Sequence, residues 1–450
     1  MSKQRIQLSD HFTYSRLLRF VLPCIGTMLF TSIYGIVDGL CVSNFVGKTA
    51  FAAVNLIMPL PMLLGTIGFM LGTGGSAIVG ITLGEGDQKK ADRYFTLFLL
   101  AALISVSVLA VLGIVFLRPI AVLLGAKGEL LDYAVRYGRI LMVSLPTFAL
   151  QNMFQSFFVT AEKPHLGFWF TVGAGCTNMV LDVLMVGIWG WGVEGAAIAT
   201  FISQLVGGVL PVFYFIDRSN SSRLHLCKTS FYSKVLRDAC INGSSELMTN
   251  LSMSLVNILY NFQLLRLAGE NGVAAYGVIM YAAFLFVAVF VGYAVGSAPI
   301  VSYHYGANNR KEVNNLYRKS LKLIGVVAVG MTIGSMFIIP HVARFFVGYD
   351  ENLLILTTRA FRLYGLSFLI MGFNVYASSF FTALGDGVTS ALISFLRTLL
   401  FQVAAVLLLP LLLGIDGIWL AVTAAELAAL LVSIGLFITR DQQFHYRKAE

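Results

Sequence analysis

The stretch VGKTAFAAVNLIMP, residues 46–59, matches AGENGVAAYGVIMY, residues 268–281, without a gap at an offset of 222 residues. The same offset carries Gly84 onto Gly306, and it places GVEGAAIAT (192–200) over GIDGIWLAV (414–422). Three matches spread over both halves of the chain indicate an internal duplication. The sequence therefore predicts one structural unit that occurs twice.

The composition is that of a membrane protein. Hydrophobic residues make up 58% of the 450 residues, charged residues only 12%, and the mean hydropathy is +0.82, whereas soluble domains are about a quarter charged. Apolar runs of roughly 20 residues, long enough to cross a bilayer, occur about twelve times along the chain. We predict an all-α integral membrane protein with 12 transmembrane helices in two pseudo-symmetric six-helix lobes.

The repeat and the apolar runs together divide the chain. We predict an N-terminal lobe at 1–216, a cytoplasmic inter-lobe loop at 217–239, and a C-terminal lobe with a short cytoplasmic tail at 240–450. An even number of spans in each lobe makes both lobes run the same way about an axis along the membrane normal. Two lobes around a central cavity are typical of a transporter, and duplication within one chain favours a monomer.

Lysine and arginine residues set the orientation. They concentrate in loops on one side of the predicted bundle, including the central loop, which carries Arg218, Arg223, Lys228, Lys234 and Arg237. Cytoplasmic loops are enriched in these residues, so we expect a multi-pass protein of the cell membrane with both termini in the cytoplasm. The net charge of +9 is dispersed among such loops rather than gathered in one stripe, so a nucleic-acid partner is not predicted.

The sequence offers no pattern of an enzyme or of a channel. Its five cysteines lack metal-ligand spacing and are expected to be reduced thiols, and its six histidines lie in tails or near helix ends. We find neither a nucleophile–base set nor a pore-lining repeat of the kind that a symmetric oligomeric channel needs. The prediction is a secondary transporter without a cofactor other than a coupling ion.

Polar residues in the N-terminal lobe fall at similar membrane depth. In SIYGIVDGL (32–40), Asp38 would lie about 6 Å inside the outer end of the first helix at ~1.5 Å per residue. By the same rise, Tyr137, Thr200 and Asp182 lie about 6, 10 and 12 Å from the outer ends of their helices. Asn178 lies one turn from Asp182 on the same helix. The resulting candidate cluster consists of Asp38, Tyr137, Asn178, Asp182 and Thr200.

Two carboxylates in such a cluster call for a positive charge between them. In a low-dielectric site both cannot remain ionised without a cation or a proton. Asp38 and Asp182 could share a proton, or they could coordinate Na⁺ together with oxygens of Asn178 and Thr200. Either ion would make the cluster a coupling site. The alternative is that Asp38 points into an outer vestibule as a solvated charge.

Other polar residues have two interpretations. Gln151 and Gln155 share a helix face and suit either a cavity lining or interhelical hydrogen bonds; with Tyr34 they are our candidates for substrate contact. Arg397 and Glu426 are expected to pair as a structural bridge between helices eleven and twelve, with a role in transport as the alternative. Glu246 comes near the start of helix seven, where a carboxylate suits the helix dipole, and we favour that structural role.

These segments together resemble the multidrug and toxic compound extrusion (MATE) family, nearest its MepA-like branch, over essentially the whole chain. The similarity rests on Pro23 and on several motifs: SIYGIVDGLCVSNFVGKTAFAAVNL (32–56), TNMVLD (177–182), GWGVEGAAIATFISQ (190–204), SYHYGANN (302–309) and GIDGIWLAVTAAE (414–426). The resemblance implies an antiporter that exports small organic cations, drugs and antibiotics among them, in exchange for H⁺ or Na⁺.

The resemblance also implies roles for individual residues. Relatives build their N-lobe cation site at the positions of Asp38, Asn178, Asp182 and Thr200, with Tyr137 nearby, and Gln151 and Gln155 fall on the drug-facing part of the fourth helix. Some branches carry acidic residues in helices seven and ten of the C-lobe. Here helix ten has Asn374, so coupling in the C-lobe is not implied. The rival function is a flippase or exporter of a lipid-linked saccharide or another metabolite.

Overall fold

The computed structural model describes residues 6–46 and 48–446, without the side chains of residues 40, 42–44 and 48. Within these ranges the chain is helical and contains no strand. The N-terminal half comprises Tyr14–Phe45 (α1), Lys48–Ile57 (α2), Pro59–Gly84 (α3), Gln88–Leu123 (α4), Glu129–Thr160 (α5), Pro164–Asp182 (α6), Gly192–Gln204 (α7) and Leu210–Ile216 (α8). The remainder comprises Ser233–Asn242 (α9), Ser244–Gly306 (α10), Arg310–Val347 (α11), Glu351–Gly365 (α12), Phe368–Ala383 (α13), Gly387–Phe395 (α14), Phe401–Leu413 (α15), Ile415–Thr439 (α16) and Asp441–Phe444 (α17).

These helices form twelve spans within the described residues. Nine segments are long and apolar enough to cross a membrane, and α12 and α13, bent by 46°, make a tenth. The 63-residue α10 is about three bilayers long at ~1.5 Å per residue. It breaks at Gly269, whose φ of 63° favours glycine, and so supplies two spans. Helix α5, with 32 residues, is not among the nine apolar segments but is long enough to cross the membrane and is the twelfth span. The count of twelve and the all-α fold class predicted from the sequence are confirmed.

Three short π-helical turns interrupt the spans: Val183–Ile188 after α6, Leu205–Val209 after α7 and Leu396–Leu400 after α14. A π turn inserts a residue into the helical repeat and shifts the side chains that follow it, and such turns are frequent at functional sites. The first comes directly after Asp182 and the third contains Arg397. Both therefore lie at the polar positions that the sequence singled out.

The lobes contact each other at the end of the bundle that carries the termini. There, one apolar cluster combines Leu17 and Val21 of α1 with Tyr293 and Ile300 of α10. At the opposite end, the clusters of described residues each belong to one lobe: the first draws on 46–60, 117–141 and 186–197, the second on 256–422. The lobes thus close on the terminal side and pack separately on the other.

The chain between the lobes is not a simple loop. Helix α8 ends at Ile216, and α9 begins at Ser233, inside the range predicted as loop. The Asn242 amide at the end of α9 donates hydrogen bonds to the backbone oxygens of Gly74 on α3 at 3.5 Å and of Thr382 on α13 at 2.9 Å. The α9 segment therefore ties the N-terminal lobe to α13. The exact division at 216 and 240 stays a prediction.

Glycine allows the close contact on the terminal side, and we expect alanine at Gly306 to weaken it. A Cβ built on Gly306 would lie 2.0 Å from the backbone oxygen of Ile81 on α3. Because backbone cannot move aside as a side chain can, the strain should cost about 1–3 kcal/mol or more. We expect a lower thermal denaturation temperature for purified Gly306→Ala. The matched variant is Gly330→Ala, where a Cβ would meet nothing within 4 Å, and an equal loss there would contradict this interpretation.

Candidate functional site

Helix packing in the N-terminal lobe brings Asp38 of α1 to Asp182, the last residue of α6. Gly175 permits this approach, because a Cβ there would lie 2.5 Å from the Phe30 ring of α1. The Asp182 side chain is fully buried and Asp38 is partly buried. Their carboxyl groups are near enough to interact with each other electrostatically. A direct hydrogen bond between them would require a proton on one of the two groups.

The buried oxygens of this pair have no donor from the rest of the described chain. No described group donates a hydrogen bond to either oxygen of Asp182, and none donates to Asp38 Oδ1. One turn earlier on α6, the buried Asn178 Nδ2 also has no described partner. Buried polar atoms are nearly always satisfied in native proteins, so the unpaired carboxylate oxygens suit the predicted proton or cation, whereas the Asn178 N–H groups would need an acceptor. The role of the pair as an ion site stays a prediction.

Of the other two predicted members, Tyr137 lies near the carboxylate pair and Thr200 lies on the neighbouring helix α7. Tyr137 is buried on α5, close enough to interact electrostatically with both carboxylates, and its hydroxyl contacts Met58 Sδ at 3.9 Å. Thr200 lies on α7, which packs against α6. Its hydroxyl donates to the Ala196 backbone oxygen at 3.0 Å, so its lone pairs remain available as acceptors for a cation.

Two further polar residues near these positions were missed as site candidates. Cys41 lies on α1, close enough to interact electrostatically with both Asp38 and Asp182. Gln204 on α7 is buried, and its Oε1 has no described partner. Spacing could have found them, since Cys41 comes three residues after Asp38 and Gln204 four residues after Thr200, each on the same helix face.

The three candidates for substrate contact lie in separate environments. Gln151 is buried against the π turn that follows α7, where a Cβ on Gly207 would lie 2.8 Å from its amide carbon. Gln155 lines a small cavity at the lobe seam. Tyr34 is half-buried against Gly175. Their role in binding stays a prediction, with Gln155 the one that reaches the space between the lobes.

A larger cavity of about 110 Å³ lies between the lobes. It is lined by Glu246, Arg397 and nine hydroxyl side chains from both lobes: Thr73, Ser76, Ser156, Ser245, Thr249, Ser378, Ser379, Thr382 and Ser394. Glu246 is in the first turn of α10, where the helix dipole favours a carboxylate as predicted. The same residue also lines the cavity, a position that its place in the sequence could not reveal.

The buried pair of Arg397 and Glu426 in the C-terminal lobe belongs to a satisfied network. Arg397 Nε donates to Glu426 Oε1 at 2.9 Å, which is the predicted bridge between these two residues. Asn374 Nδ2 donates to the other carboxylate oxygen at 2.7 Å, and Asn374 in turn accepts a hydrogen bond from Ser433 at 3.0 Å. Both oxygens of Glu426 therefore have donors, in contrast to those of Asp182.

The two lobes also differ at the position of Asp38. The repeat offset places Tyr260 there, stacked on Tyr276 with ring centroids 5.0 Å apart. The Tyr260 hydroxyl accepts a weak hydrogen bond from Gln402 at 3.4 Å. Two aromatic rings and an amide hold no charge, so the carboxylate pair belongs to the N-terminal lobe of this pseudo-symmetric bundle.

Comparisons with known proteins agree with this architecture. The MatE family model matches residues 23–184 and 247–407, one segment in each lobe. The multidrug export protein MepA of Staphylococcus aureus (strain MSSA476) is 22% identical over 440 residues, covering 95% of this chain and 94% of its own. MepA of Staphylococcus saprophyticus is 21% identical over 430 residues, with the same coverage.

Solved structures show the same fold. An outward-facing multidrug resistance MATE family transporter of the MOP superfamily superposes with a TM-score of 0.92 at 22% identity, covering 99% of both chains. A MATE protein in complex with MaL6 gives 0.91 at 23% identity, covering 99% of this chain and 100% of its own. At this level of identity the likeness concerns the fold alone.

Proposed function

Because this chain belongs to the MatE family of multi-pass membrane transporters, we propose that it exports small organic cations by antiport against H⁺ or Na⁺. Its family makes it a secondary transporter and not an enzyme. Relatives named as multidrug export proteins support organic compounds as its substrates. We further propose that it acts as a monomer in the cell membrane, with both termini in the cytoplasm.

The observation that carries this proposal is the fully buried Asp182 carboxylate, which faces Asp38 without a donor from any other described group. Two such charges at about 4 Å repel each other by about 4 kcal/mol at an effective dielectric constant of about 20. One proton or one Na⁺ removes this repulsion. Asn178 and Thr200 offer the oxygen atoms that Na⁺ would require, so the same residues suit either ion.

Coupling then follows from the charge of the site. With the termini in the cytoplasm, the side on which the lobes pack separately faces outward, and an ion can reach Asp38 from there. Neutralising the pair removes the negative field that holds an organic cation and favours its release. Reopening toward the cytoplasm discharges the ion. Substrate and ion compete for one field, which makes the exchange obligatory.

The proposal is tested with purified protein in proteoliposomes. Transport of a fluorescent organic cation is measured under a pH gradient alone and then under a Na⁺ gradient alone. We expect at least one of the two gradients to drive accumulation of the dye well above that in protein-free vesicles. Equal dye levels with and without both gradients would contradict ion coupling.

A flippase for a lipid-linked or another anionic metabolite is the second candidate. It is favoured by one observation, Arg397 in the lining of the cavity between the lobes. The charge of this arginine is already compensated, since Glu426 lies 2.9 Å away and Glu246 lines the same cavity. The lining thus offers no excess positive charge to a phosphate, and we favour cations as substrates.

A further inference from the structure

The segment before α1 crosses the seam between the lobes. Residues 6–13, which we call the N-terminal strap, place the side chains of Leu8 and Phe12 at 0% exposure. The backbone N–H of Leu8 donates to Glu162 Oε1 at 2.9 Å. The backbone N–H of Phe12 donates to Glu312 Oε1 at 2.8 Å. Glu162 follows α5 in the N-terminal lobe and Glu312 lies on α11 in the C-terminal lobe, so the strap is bound to both.

The attachment to the C-terminal lobe involves several bonds. His11 Nδ1 lies 2.6 Å from Glu312 Oε2. The backbone oxygen of Phe12 accepts hydrogen bonds from Asn315 at 3.1 Å and from Lys319 at 2.7 Å. The Phe12 ring meets His304 edge to face, with ring centroids 6.4 Å apart. Helix α11 and the end of α10 thus hold one end of the strap.

The attachment to the N-terminal lobe is built around a strained residue. Glu162 has a φ of 60°, a region that residues with side chains rarely occupy and that costs roughly 1–3 kcal/mol. Its side chain is 4% exposed and pairs with Arg223 at 2.8 Å. Arg223 in turn lies 5.1 Å from the ring centroid of Tyr303 on α10. Glu162, whose backbone is strained, therefore binds the strap through its carboxylate and is connected through Arg223 to Tyr303 of the opposite lobe.

We propose that the N-terminal strap is a latch that keeps the lobes together on the terminal side. It must detach from Glu162 or from Glu312 before the lobes can separate there. The two backbone hydrogen bonds start from Leu8 and Phe12, which are four residues apart. A separation of Glu162 from Glu312 beyond the reach of this short segment, about 3.3–3.6 Å per residue, therefore breaks one of them. The inference uses the proposed function only in requiring that the lobes separate on this side. It holds for any substrate and any coupling ion.

The native Cys24 reports the opening of this seam. It is 5% exposed, it belongs to the same apolar cluster as Leu8 and Phe12 of the strap, and its Sγ lies 3.1 Å from a Cβ built on Gly296 of α10. The remaining cysteines (Cys41, Cys176, Cys227 and Cys240) are replaced by serine, and the rate at which a maleimide labels Cys24 is measured in the purified full-length protein. Labelling needs neither substrate nor ion, so its result is independent of the transport assays.

The test variants are Glu312→Ala and Phe12→Ala, and the matched variant is Ser9→Ala, an exposed residue of the same strap. Because hydrogen bonds to a charged group contribute about 1.5–3 kcal/mol, we expect Glu312→Ala to label about tenfold faster or more. Phe12→Ala should also label faster, and Ser9→Ala should label at the parental rate. Should Phe12→Ala fail to fold, Glu162→Ala replaces it. Labelling of the folded variants at the parental rate would overturn the latch.

Discussion

The Asp38→Asn variant is expected to lose drug export to the background level while remaining folded in the membrane. Asparagine has nearly the volume of aspartate but carries no charge and cannot take up a proton. The Asp182 carboxylate, fully buried and without a described donor, would then lack the carboxylate with which we propose that it shares an ion. Efflux of a fluorescent cation from cells that carry the variant measures the loss.

Glu194→Gln is the matched variant for this experiment. Glu194 is also a carboxylate of the N-terminal lobe, in the first turn of α7. Its side chain is 48% exposed and pairs loosely, at 3.8 Å, with that of Arg136, which is also exposed. Exposed pairs of this kind contribute about 0–1 kcal/mol, so export should continue at the parental level. Full export by Asp38→Asn at equal expression would contradict the role of the carboxylate pair.

The second large effect is expected on stability, at Arg397. Its side chain is 14% exposed and pairs with Glu426, which is 3% exposed. Removing one partner of a buried ion pair leaves the other charge uncompensated and typically costs about 3–5 kcal/mol. We therefore expect Arg397→Met to denature at a clearly lower temperature than the parent in detergent. The double variant Arg397→Met/Glu426→Gln should recover most of the loss, because no buried charge remains.

An exposed ion pair of the same lobe provides the comparison. Arg359 contacts Asp416, but its side chain is 67% exposed. Arg359→Met should change stability by no more than about 1 kcal/mol. A loss at Arg397 no greater than that at Arg359, or a double variant no more stable than Arg397→Met, would show that the buried network does not stabilise the C-terminal lobe.

The fold could be predicted because its determinants are lengths and repeats. Apolar runs fix the number of spans, and the match between 46–59 and 268–281 fixes the duplication. Membrane depth also placed Asp38 and Asp182 at similar levels, and the packing of α1 on α6 brings them together. Depth says nothing of rotation about a helix axis, and so the sequence left a solvated Asp38 as an alternative.

Other features depend on contacts that the sequence does not encode locally. The strap is a short polar segment without periodicity, and its Phe12 binds Glu312, a residue 300 positions away. Glu246 satisfies a helix dipole equally well whether or not it faces a cavity, so its position could not be chosen from spacing. The π turns after Asp182 and around Arg397 have no signature that distinguishes them from α-helix.

The coupling between substrate and ion is measured most directly as the ion movement that a substrate gradient alone drives. In proteoliposomes without a pH or Na⁺ gradient, an organic cation is added on one side, and the appearance of H⁺ or Na⁺ on that side is followed. We expect one of these ions to appear in proportion to the cation taken up, and no such flux with Asp38→Asn. Uptake of the organic cation without movement of either ion would contradict antiport through the Asp38–Asp182 pair.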